Sequence, residues 1–258
     1  MYLKSSNLQT FSLLSKDGEL GSIDDFYFEA SNLMIRYFAI NTRKWFFGGT
    51  GLLSPKAFAA INIPEQMIEV TITKEQLKNS PKLSDHSPLS LAYEKKLNHY
   101  YGWSLYWKDQ IAPPIEGENL SGSPMNGVFT SADDQQELVQ LNQTHHVLRT
   151  SSELIGCKVY AKNKEVGKIT DLVIDHQSWD IRFLEIDIGG FLSKQVVPLS
   201  TNWISEINWI DGVVLMNKDK QEVEQTLSFE GSYLYEGDFR SHVEAGHPPD
   251  KEESSKKK

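Results

Sequence analysis

Few side chains in this sequence could do chemistry on a substrate, and they are scattered. Cys157 is the sole cysteine, so it can form neither an intrachain disulfide nor a thiolate metal cluster. It opens the apolar stretch Cys157 to Ala161, where a free cysteine fills core space and stays inert. His145-His146 are adjacent, so their side chains diverge, and no carboxylate or histidine at ligand spacing supports them. His86, His99, His176, His242 and His247 fall in turns, a helix flank or the tail. Gly48-Gly49-Thr50-Gly51 could cradle a phosphate only between a strand and a long helix, and Ser54-Pro55 follows instead. The sequence therefore predicts no catalytic residue, no metal site and no cofactor.

Two acids stand apart because they come as a matched pair. Asp25 and Asp171 lie 146 positions apart, and the same shift carries Glu19–Asn41 onto Glu165–Asp187 without a gap. Identical across that shift are Glu19/Glu165, Gly21/Gly167, Ile23/Ile169, Asp25/Asp171, Ile35/Ile181, Arg36/Arg182 and Ile40/Ile186. A gapless internal match of this length marks duplication of one small domain. The acids serve either as hydrogen-bonded turn or bulge residues or as a paired polar site. Arg36 and Arg182, retained with them, are candidates to partner the acid of their own repeat.

The elements that must position these residues are short strands. Asp17-Gly18 between apolar segments predicts a hairpin, and the strand after it loses its alternation at Phe26-Tyr27-Phe28, as a long bent strand does with Gly21 at the bend. Strands are predicted over Leu33–Thr42, Ala57–Ile63 and Met67–Thr73, with a closing helix at 74–79. The second copy repeats the order; there Gln195-Val196-Val197-Pro198 answers Leu52-Leu53-Ser54-Pro55 after a small deletion, and the loop Gly189-Gly190-Phe191-Leu192 reads as shorter than Arg43–Thr50. Between the copies, Ser87-Pro88 predicts a helix start, and Leu89, Tyr93, Leu97 and Tyr100/Tyr101 form one stripe stopped by Gly102. Residues 111–127 read as flexible linker and 133–141 as one short helix. The expected division is 1–82 for the first repeat, 83–150 for an aromatic, partly helical connector and linker, 151–230 for the second repeat, and 231–258 for a tail that is disordered from about 246.

With 258 residues and 39% hydrophobic content there is enough apolar material for packed cores. The net charge of −9 argues against nucleic acid as a ligand. No apolar run approaches the roughly 18 residues that cross a bilayer as a helix, so a cytoplasmic location without a transmembrane segment is expected.

Gly21-Ser22-Ile23-Asp24-Asp25-Phe26, Ile35-Arg36-Tyr37, Leu53-Ser54-Pro55 and Thr73 to Pro81 together resemble a PRC-barrel domain. The second copy resembles it through Gly167-Lys168-Ile169-Thr170-Asp171, Ile181-Arg182-Phe183 and Val196-Val197-Pro198. This family includes the cytoplasmic domain of the photosynthetic reaction centre H subunit and the C-terminal domain of the ribosome maturation factor. The resemblance, over roughly 5–82 and 152–227, implies an all-β protein of two small antiparallel barrels. Tyr100-Tyr101-Gly102-Trp103 and Trp107 also resemble the connector of stand-alone bacterial two-copy members. The H subunit's membrane helix and the ribosome factor's N-terminal domain are both missing, so neither role carries over. The resemblance implies docking onto other macromolecules without catalysis.

The aromatic residues fit that expectation. Trp45-Phe46-Phe47 lies in a loop between strands, and Trp103, Tyr106 and Trp107 lie in the connector. These rings either pack on the protein's own barrels or form an exposed surface for a protein partner or a second copy, as in a homodimer. The function expected is a protein-interaction or assembly module. The alternative is a sensor that binds a small molecule or ion in the cleft between the barrels.

Overall fold

In the computed structural model the described residues are 2–42, 50–83, 89–107, 147–162, 164–189 and 195–224. The first repeat runs β1 (Tyr2–Lys4), α1 (Ser5–Leu8), β2 (Ser12–Ser15), β3 (Gly18–Glu29), β4 (Ile35–Asn41), β5 (Gly51–Leu53), β6 (Phe58–Asn62), β7 (Met67–Val70) and α2 (Lys74–Asn79). After the connector helix α3 (Leu91–Tyr101), the second runs β8 (Leu148–Thr150), α4 (Ser151–Leu154), β9 (Lys158–Ala161), β10 (Lys164–Asp175), β11 (Ile181–Asp187), β12 (Val196–Ser200), β13 (Ile204–Asn208), β14 (Val213–Met216) and α5 (Lys220–Glu224).

Each repeat builds one curled sheet, β5-β4-β3-β2-β7-β6 in the first and β12-β11-β10-β9-β14-β13 in the second. The protein is all-β and barrel-like. The antiparallel expectation needs one refinement, because β2 pairs with β7, and β9 with β14, in parallel. Curvature comes from irregularities at matching places. Register shifts fall between Ile23 and Asp25 in β3 and between Ile169 and Asp171 in β10, so the residues on either side of each bulge can both face inward. Ile23 and Phe26, like Ile169 and Leu172, are accordingly buried.

Gly21 and Gly167 sit where strands come closest. A Cβ at Gly21 would lie 2.1 Å from the carbonyl oxygen of Asn41, and one at Gly167 would lie 2.1 Å from that of Asp187. Gly21 also has φ +130°, which side chains rarely adopt.

The small deletion inferred in the second copy is absent. Leu53 pairs with Phe38 and Leu199 with Leu184; Leu52 pairs with Ala39 and Pro198 with Glu185. The shift of 146 thus holds through the edge strands, and Arg43–Thr50 has the same length as Gly189–Val196. Ser54 caps the short 3-10 turn at Pro55–Ala57 through Lys56 N–H, and Ser200 caps its counterpart through Asn202 N–H. The closing helix α2 falls on its predicted residues and starts with a capping box between Thr73 and Gln76.

The repeats are not separate beads. β1 leaves the first repeat and pairs antiparallel with β10 of the second, Leu3 opposite Ile174. β8 does the reverse and pairs with β3, Arg149 opposite Phe28. The exchange brings Leu3 into the shared core at 2% exposure, which stabilises the join by about 1.5–3 kcal/mol. Met34 and Asp180 form a bridge between the two halves, and Trp179 closes over Phe38 at 5.0 Å and Phe58 at 5.4 Å between ring centroids. One hydrophobic core runs through both repeats, and these rings occupy the space between the sheets.

α3 begins at Leu91 with Ser90 as its cap, later than the Ser87-Pro88 start expected; Ser87 and Pro88 lie outside the described residues. It ends, as expected, at Gly102 in the left-handed region. The segments 111–127 and 133–141, and the tail 231–258, are also outside the described residues.

Candidate interaction surface

The paired acids are knit into the exchange. Ser5 and Ser6 hydroxyls of α1 donate to the Asp171 carboxylate, and Ser6 N–H reaches Oδ1 at 3.2 Å. Reciprocally, Ser151 and Ser152 hydroxyls of α4 donate to Asp25, the latter at 2.8 Å. Each aspartate also accepts from the next backbone N–H, Phe26 at 2.7 Å and Leu172 at 2.8 Å, which fixes the bulge beside it. The acid of each repeat therefore holds the N-terminal arm of the other. The Ser5-Ser6/Ser151-Ser152 identity at the same shift of 146 is the sequence signal of this arrangement.

Arg36 does not partner Asp25. Its guanidinium pairs with Glu29, with Nε at 3.2 Å from Oε2, and lies 3.9 Å from the centre of the Tyr106 ring. Register explains the choice: Asp25 stands opposite Ala39, whereas Arg36 lies beside the turn that joins Glu29 to Met34. Burial raises the Glu29 pKa, but Arg36, Ser31 and Asn32 outweigh it and hold the carboxyl below the ordinary value. In the second repeat, Asp175 and Arg182 occupy the places of Glu29 and Arg36.

The connector lies on the outer face of the first sheet. Leu97 packs with Tyr37, Ala39 and Leu52, flanked by Tyr27, Leu89 and Tyr93. A buried polar network fastens it: Asn98 Nδ2 donates to Tyr37 Oη at 2.6 Å, and Tyr106 Oη donates to Glu94 Oε2 at 3.0 Å. Burial, aided by Glu94, pushes both tyrosine hydroxyls well above their ordinary value, so they act as neutral hydrogen-bonding groups.

The aromatic residues expected at a surface differ in availability. Trp107 is 1% exposed, so its ring packs inside the protein and cannot present a docking face. Trp103 is half-buried and stacks on Tyr101 at 4.3 Å. Trp45, Phe46 and Phe47 lie outside the described residues, as do His145 and His146. Cys157 is buried; its Sγ–H donates to the Glu153 carbonyl at 3.2 Å, and burial together with the Glu153 charge raises the thiol pKa, against nucleophile chemistry. Among the described residues, no group of three or more His, Cys, Asp or Glu is placed to hold a metal ion. Among them also, no helix is long and apolar enough to cross a membrane.

The exchanged, curled sheet thus defines a small β-barrel class of domain. Residues 147–223 match the PRC-barrel domain, so the chain carries a domain of that family across β8 to α5. The match does not extend over the first repeat, whose likeness rests on the same strand order and registers. No curated protein matches the chain.

Proposed function

We propose that this protein is a non-catalytic interaction or assembly module, and that the first repeat carries the contact through Trp45-Phe46-Phe47. The observation that supports it is the equal length of the two β4–β5-type loops once the registers are known. Trp45, Phe46 and Phe47 stand where the second repeat has Phe191, Leu192 and Ser193. The difference is therefore one of chemistry on the same frame, a gain of large rings in one copy. Such rings concentrate binding energy at interfaces. The match of 147–223 to a PRC-barrel domain supports the same reading.

The test is Trp45→Ala combined with Phe46→Ala in the full chain. Light scattering and affinity capture should show loss of self-association or of a bound protein, with the melting temperature unchanged. Unchanged assembly, or unfolding of the variant, contradicts the assignment.

A further inference from the structure

Where β1, the end of β10 and β11 meet, the second sheet is buried on both faces. Leu172 and Ile174 of β10 point into the shared core, while Val173, between them, joins Phe183 and Tyr2 in a separate cluster on the outer face. These three are only 2%, 1% and 4% exposed, the burial of a covered face and not of a solvated one. In the first repeat the corresponding outer face, through Tyr37, is covered by α3 with Leu89, Tyr93 and Leu97.

The shift of 146 carries Leu89, Tyr93 and Leu97 onto Tyr235, Phe239 and Val243. These recur at every fourth position, the spacing of one helical stripe. The closing helices α2 and α5 start at corresponding residues, Lys74 and Lys220, so the chain leaves both barrels with equal reach. From these observations we propose that the chain's own C-terminal segment, residues 235–243, occupies the outer face of the second barrel, with Tyr235, Phe239 and Val243 set against Tyr2, Val173 and Phe183. It is the second repeat's counterpart of the connector helix, and the duplicated unit includes this outer layer.

Paired cysteines decide the matter, since a disulfide closes only between residues whose Cα atoms lie within about 7 Å. The full chain with Val173→Cys and Phe239→Cys, in a Cys157→Ser background, is oxidised mildly and run without reductant. The expected product is an internally cross-linked monomer in most molecules. Cross-linked dimers would show that a second copy covers the face, and absence of any cross-link would show that the segment lies elsewhere; either overturns the proposal. Independently, Phe239→Ser with Val243→Ser should raise amide exchange in β1 and β11 at least tenfold and leave β4 unchanged. Exchange at wild-type rates in β1 and β11 overturns it as well.

Discussion

Replacing Glu29 by alanine is expected to lower stability by about 3–5 kcal/mol, because it leaves a buried guanidinium without its ion-pair partner. The Glu29 and Arg36 side chains are 7% and 10% exposed, so water cannot take over the role of the carboxylate. A loss of that size is a large share of the 5–15 kcal/mol typical of folded domains. Urea unfolding of Glu29→Ala measures it directly, and a loss below about 1 kcal/mol would mean that the pair is solvated, as surface pairs are. The double variant Glu29→Met/Arg36→Met should recover most of the loss, since an apolar pair of similar volume often equals a buried ion pair. The pH dependence has a defined sign. The folded-state pKa of Glu29 lies below its ordinary value of 4.5, so the unfolded chain takes up the proton first. The pair's contribution is complete above the ordinary carboxylate range and is lost as pH falls through the folded value. Glu29→Gln should lack this component of acid destabilisation.

Gly167→Val should lower stability by about 3 kcal/mol, at the upper end of overpacking effects. The new Cβ would meet the Asp187 carbonyl oxygen at 2.1 Å and Ile186 Cγ2 at 2.9 Å, and the first of these is backbone that cannot rotate aside. Separating β10 from β11 is the only relief, and that disturbs the central pair of the sheet. Gly21→Val meets the Asn41 carbonyl in the same way and adds the strain of a positive φ, about 1–3 kcal/mol more. Thermal melting should fall by roughly 6–12 °C for Gly167→Val and further for Gly21→Val. A midpoint equal to the parent's for Gly167→Val would rule out this close approach of the strands.

The duplication and the bent strands were legible because Glu19–Asn41 and Glu165–Asp187 retain identities where geometry tolerates little change, as at Gly21 and Gly167. Matching Pro198 to Pro55 misplaces the edge strands by three residues. Pro198 lies within β12 on the sheet's edge, where no donor is needed, whereas Pro55 opens a 3-10 turn. The exchange was not legible, since β1 and β8 have three residues each and no periodicity names their partners. Ser5-Ser6 and Ser151-Ser152 carried that information in a form only the folded contacts with Asp171 and Asp25 reveal. The partner of Arg36 is hidden for a related reason: the bulge beside Asp25 and the turn after Glu29 decide which acid it reaches. Of the candidate surface, the identities of the rings were legible but their burial was not, because an aromatic connector reads alike whether it docks inward, as Trp107 does, or outward.

The central claim is that the two repeats exchange their N-terminal strands, and cross-strand nuclear Overhauser contacts on isotope-labelled protein test it most directly. The exchange predicts contacts of Leu3 with Ile174 and of Arg149 with Phe28. Contacts of Leu3 with Phe28 and of Arg149 with Ile174 would place each strand on its own repeat and contradict it.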